Sequence, residues 1–197
     1  MTVDGGLSPK QFKTMNTTDV QTTWAIDPTH SEIHFKVKHM MVSTVTGAFN
    51  EFEGTLHTNN EDFETFEDAK VSFSANIDSI HTNSVQRDVH LKSDDFFNAA
   101  KFPKLSFNST SFRKKSEDKY ELVGDLTIRD ITRSVTLDVE YNGTVVDPYQ
   151  QTKAGFELSG KISRKDFGLT WNAVTEAGSV VVSNDIRLLM NVQLVKK

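Results

Sequence analysis

A chain of 197 residues with 37% hydrophobic and 25% charged side chains is long enough for one packed domain and too apolar for wholesale disorder. Its 22 Lys and Arg against 27 Asp and Glu leave a net charge of -5 and no basic footprint for nucleic acid; Arg113-Lys114-Lys115 is short and followed by acids. No cysteine is present, which excludes disulfides, thiolate catalysis and cysteine-ligated metals.

Residues 1–22 are polar, carry Gly5-Gly6 and show no apolar period, so a flexible tail is expected there, with one domain over 23–197. The N-terminus has neither a basic n-region nor an apolar h-region, and no window reaches the apolar length of a membrane span. The expected compartment is the cytoplasm, where the sequons at Asn16, Asn108 and Asn142 carry little meaning.

From Trp24 onward the dominant signal is alternation of period two. Ile33, Phe35 and Val37 alternate with His34, Lys36 and Lys38. In 44–58 the apolar positions are odd through Val45 and Phe49, then even through Phe52 and Leu56, so one extra residue near Asn50-Glu51 predicts a β-bulge. Val71, Phe73, Ala75 and Ile77 form the third run. Gly47, Gly54, Gly124 and Gly160 fall on the inward parity, where a missing side chain either leaves room inside or marks a tight bend.

Residues 81–103 break the alternation. Asn83 and Gln86 have capping-box spacing and predict a helix from near Ser84, with Val85, Val89 and Phe96 on the face turned toward the barrel. Such a helix reads as a lid, or simply as packing against the barrel end.

Period two resumes at Leu105-Phe107 and continues through Leu122-Leu126-Ile128, Val135-Leu137-Val139, Phe156-Leu158-Ile162 and Ile186 to Leu194. Eight strands without intervening helices argue antiparallel pairing, as a barrel or a sandwich. The parity flip and the unusual length of the 44–58 run, which must coil strongly, favour the barrel. The fold class is therefore all-β, an extended eight-stranded antiparallel barrel with one short lid helix.

No chemical motif rises from this pattern. His30, His34 and His39 are close in sequence, but parity separates His34 from His39, so no metal is expected. Asp88, His90 and Ser93 lack a nucleophile elbow, which makes a lipid-modifying enzyme using Asp88 and His90 the minor alternative. Arg87, Asp88 and His90 either tie the helix to a strand or meet a polar head group.

Trp24-Ala-Ile-Asp-Pro-Thr-His30 through His39-Met40 resembles the opening signature of the YceI family. Arg87-Asp88-x-His90-Leu91, Phe96-Phe97 with Phe102-Pro103, Gly124-Asp125-Leu126-Thr127-Ile128-Arg129 and Arg164-Lys165-Asp166-Phe167-Gly168-Leu169 follow in the family's order. Met41 and Asp130 stand where many members carry glycine. The resemblance implies a lipocalin-like barrel that binds polyisoprenoids, quinone precursors or related fatty-acyl amphiphiles, in a bacterial protein that is often a homodimer. No cofactor is expected, and charge and hydropathy argue for no nucleic-acid partner and no stable membrane insertion.

The expected function is carriage or storage of one such lipid in a through-running apolar tunnel. The alternative is a filled barrel that acts only as an interaction module. Parity nominates Phe35, Val37, Val45, Phe49, Phe52, Phe73, Phe107, Leu126, Leu137 and Phe156 as tunnel lining. His39, Arg87 and His90 are nominated for the head-group end.

Overall fold

The computed structural model describes residues 21–59, 66–173 and 181–197; the expected tail, 1–22, lies outside them except for its last two residues. Eleven strands and one helix follow in order. They are β1 (Thr22–Ile26), β2 (Glu32–His39), β3 (Ser43–Phe49), β4 (Phe52–Thr58), β5 (Lys70–Asn76), β6 (Ile80–His81), α1 (Val85–Lys92), β7 (Lys104–Lys114), β8 (Lys119–Ile128), β9 (Ile131–Val146), β10 (Thr152–Ser163) and β11 (Val182–Lys196).

These strands make eight staves, because the first three staves are each broken once. β11 pairs along its last residues with β1 (Ile26 opposite Leu194) and along its first half with β2 (Phe35 opposite Leu188). β1 also pairs with β4 and β2 with β3, and β5 and β6 make up the third stave. The circuit continues β5-β7-β8-β9-β10-β11 and closes antiparallel throughout. Closure removes the sheet edges that would otherwise template aggregation.

Each break has a local cause. Between β1 and β2, the Asp27 carboxylate accepts hydrogen bonds from Thr29 N (3.0 Å), Thr29 Oγ1 (2.6 Å) and Gln193 Nε2 (3.1 Å). The Thr29 hydroxyl, with His30 beside it, holds that carboxyl well below the usual carboxylate range. Between β3 and β4 the chain bends at Asn50-Glu51, where the parity flip predicts it. Asn50 N donates to Ser79 O (3.3 Å) and Asn76 N to Glu51 O (2.9 Å), so the second and third breaks brace each other.

The two ends of the barrel differ. At the end where β7 meets β8, Phe66 (1% exposed) stacks on Phe112 at 4.9 Å and meets Tyr120, Tyr141 and Phe156 edge-on. The other end carries the β2–β3 hairpin tip, α1 and the Arg129-Asp130 turn. No helix among the described residues is long and apolar enough to cross a membrane.

α1 begins after Ser84 as its spacing predicts, but its orientation corrects the sequence reading. Val85 (80% exposed) and Val89 (65%) face solvent, while Leu91 faces the barrel. The buried Asp88 carboxylate sets this rotation by accepting from Thr82 N (2.9 Å) and Thr82 Oγ1 (2.5 Å). Nor does the capping box form. Ser84 makes no side-chain cap bond, and the Asn83 amide oxygen meets His81 Nε2 at 2.9 Å instead.

Candidate functional site

The inward residues enclose a cavity of about 230 Å³ whose presented surface is entirely apolar. One water needs only about 10–15 Å³ of such space, so this is far more than a packing defect. Its wall draws Phe35 and Val37 from β2, Phe49 from β3, Phe73 from β5, Phe107 from β7, Leu126 from β8, Leu137 from β9 and Phe156 from β10. Met190 and Leu188 of β11 complete the ring, and Leu91, Phe96 and Phe97 form its upper boundary.

The inward glycines make this interior possible, though not as simple gaps. A Cβ at Gly47 would collide with the Phe35 ring, and one at Gly124 with the Phe107 ring and the Asn108 carbonyl. At Gly160 it would come within 2.6 Å of Leu137 Cδ2. Each glycine gives a neighbouring side chain room to lie close against the barrel wall. Large rings are thereby kept out of the axis, which stays open.

The Phe66 cluster closes the floor. The wall reaches Phe112, Leu122, Val139 and Phe156 but not Phe66, Tyr120 or Tyr141 behind them. The interior is thus a blind pocket rather than the through-running tunnel that the sequence suggests, because one loop aromatic folds under the barrel and stacks there.

At the mouth, Arg164 is 3% exposed and lies beside the wall. Its guanidinium donates to Ser183 O (2.9 Å), Leu169 O (2.5 Å), Trp171 O (2.7 Å) and Val182 O (3.2 Å). No carboxylate pairs with it among the described residues, and burial pulls its pKa below the ordinary guanidinium value. The four carbonyls replace the water the charge has lost, and in return the side chain clamps the 169–171 segment to the start of β11. Parity reading missed this residue because the clamp is a tertiary contact that alternation does not encode.

Eight of the ten nominated lining residues thus share one wall. Val45 and Phe52 do not. Val45 sits opposite Val37 on the part of the hairpin nearer the tip, and Phe52 begins β4 just past the bend, its ring 6.3 Å from that of Phe73. The head-group nominees stand back from the wall. His39 ends β2 at the base of the hairpin tip. Arg87 is exposed and donates through Nε to Thr82 Oγ1 (2.7 Å) and through Nη2 to Thr82 O, which ties the helix to the residue after β6. His90 Nε2 meets Asp95 Oδ2 at 2.8 Å, and its ring sits edge-on to Phe96 and Trp171. His90 therefore buttresses a wall residue from behind. Among the described residues no three His, Asp or Glu side chains converge as a metal site.

A family model described as a YceI-like domain matches residues 24–194, from β1 to β11. The chain belongs to the YceI-like family. Among its YceI-like relatives, a UPF0312 protein of Staphylococcus aureus (strain N315) is 36% identical over 167 residues, covering 84% of this chain and 93% of the relative. A solved Campylobacter jejuni YCEI protein is 32% identical with a TM-score of 0.69, covering 82% of this chain and 91% of that one. Two more distant structures share the YceI-like fold. Burkholderia cenocepacia BcnA has a TM-score of 0.72 at 18% identity, covering 85% of this chain and 98% of its own. A polyisoprenoid binding domain from Saccharophagus degradans has a TM-score of 0.66 at 13% identity, with 88% and 98% covered.

Proposed function

We propose that this barrel holds one long-chain amphiphilic lipid, a polyisoprenoid, quinone precursor or fatty-acyl compound, as a carrier or store. The observation that carries the reading is the wholly apolar blind cavity, walled by side chains from every one of the eight staves. Burial alone supplies affinity there, at about 0.8 kcal/mol for each CH₂ removed from water. The open interior favours this reading over a barrel filled by its own side chains. The S. degradans neighbour, named as a polyisoprenoid binding domain, supports the ligand class.

Binding without turnover is the reading that suits the polar groups. Asp88 is committed to Thr82 and His90 to Asp95, and neither reaches the wall. The lipid's polar end stands at the mouth, above the wall, where His39, Arg87 and His90 lie around the rim.

Solvent extraction of freshly purified protein followed by mass spectrometry tests this. The expected result is one isoprenoid or fatty-acyl species near one per chain, lost in a folded Phe73→Asp variant whose carboxylate would face the cavity. A protein that purifies empty and takes up no added polyprenol or fatty acid would refute it.

A further inference from the structure

The outer wall beside the mouth carries a pattern that the cavity does not explain. Register sets Lys161 of β10 opposite Arg187 of β11, and Arg187 opposite Lys36 of β2, so three cations stand side by side across three strands. Lys38 follows on the same outer face, two residues nearer the tip. Like charges directly opposite one another destabilise a sheet. Of the four, only Lys161 has a carboxylate partner among the described residues, Asp185 at 3.1 Å. This excess of positive charge sits on a chain whose net charge is -5.

Directly above the row, the β2–β3 hairpin tip exposes Met40, Met41 (63%) and Val42 (81%). Met40 and Met41 both adopt left-handed backbone, with φ of 48° and 60°. Turns of this kind normally take Asn or Gly, and a methionine there costs about 1–2 kcal/mol of strain. The backbone N–H of Met40 ties the tip to Val181 O (2.9 Å), but the exposed side chains of both methionines are turned to solvent. The same end also exposes Val85 and Val89 of α1.

Apolar residues at a tip, with cations a few residues behind on the same outer wall, are the surface chemistry of interfacial binding. The side chains enter the headgroup boundary while lysine and arginine meet anionic lipid. At no more than roughly 3.3 Å per residue, Lys38 lies within about 10 Å of Met41, comparable with the depth of a headgroup layer. We propose that the mouth end of the barrel docks on a bilayer rich in anionic lipid, with Met40, Met41 and Val42 seated in the interface and Lys36, Lys38, Lys161 and Arg187 against the headgroups. The proposal concerns the outer wall and the tip, so it stands whether or not the cavity holds a lipid.

Vesicle flotation of the full chain tests it. Phosphatidylcholine vesicles containing about one third phosphatidylglycerol are compared with pure phosphatidylcholine, the anionic membranes being favoured by roughly fivefold for each cation at the surface. The expected result is binding to anionic vesicles only, weakened by salt. Lys36→Gln with Arg187→Gln should lower it about 25-fold on the same scale, and Met41→Ser with Val42→Ser should abolish it. Both variants should keep the parent's circular dichroism and cavity contents. Equal binding to neutral vesicles, no binding, or full binding by both variants would overturn the proposal. A parent dimer that the tip variant alone dissociates, with no vesicle binding, would also overturn it and assign the tip to a second copy of the chain.

Discussion

Replacing Arg164 with methionine keeps much of its bulk and removes all four of the hydrogen bonds it donates. Bonds from a charged donor are worth about 1.5–3 kcal/mol each, so the gross loss is roughly 6 kcal/mol even at the low end. Two effects offset it. The variant no longer buries a charge, which returns several kcal/mol, and the less enclosed carbonyls can take up water. A net destabilisation of about 3 kcal/mol remains, or a fall of roughly 6–12 °C in the unfolding midpoint for a chain of this size. Thermal and denaturant unfolding of lipid-extracted protein measures it, extraction being needed because a ligand bound to the native state adds its own stabilisation. Arg164→Lys should fall between parent and Arg164→Met, since one ammonium cannot serve four carbonyls arranged around a planar fork. Hydrogen exchange should speed up at residues 169–171 and at the start of β11 before it does elsewhere. A methionine variant as stable as the parent, with unchanged exchange at the mouth, would show that the clamp only compensates the cost of its own burial.

Two further perturbations follow. Gly124→Ala should cost about 1–3 kcal/mol and push the Phe107 ring toward the axis, lowering lipid occupancy; an unchanged midpoint would contradict the packing account. Asp27, whose folded pKa is depressed, contributes stability that is present above its unfolded pKa of about 4 and is lost as pH falls below that value. Asp27→Asn should therefore be less stable than the parent by about 1–2 kcal/mol near neutrality, with the gap closing in acid. A gap that persists unchanged at low pH would assign the effect to shape rather than charge.

Alternation makes most of the barrel legible, because each inward residue must be apolar whatever its partner, and one parity flip locates the bend at Asn50-Glu51. Eight of the ten residues nominated by parity come together on the wall of one cavity. Val45 and Phe52 fall outside that wall although Val45 lies opposite the wall residue Val37, because parity says which face a residue is on and not whether its side chain reaches the cavity. The rotation of α1 is illegible for a different reason. Val85 and Val89 form an apolar stripe, but a single buried carboxylate, Asp88 on Thr82, overrides it. Phe66 lies outside any periodic run, so its role under the barrel emerges only from tertiary packing. The inward glycines are visible in the sequence, whereas the rings that lie over them are not.

The stopper formed by Phe66 has a consequence for whatever enters. A vessel sealed at one end admits a chain in one orientation, tail foremost, and releases it by the way it came. Depth then acts as a ruler. Carbons that reach the floor are sheltered, while each methylene beyond the available depth stays in water and forfeits about 0.8 kcal/mol. For the proposed lipid-holding role, a smaller residue at position 66, remote from the rim, would loosen the aromatic floor and let longer chains in.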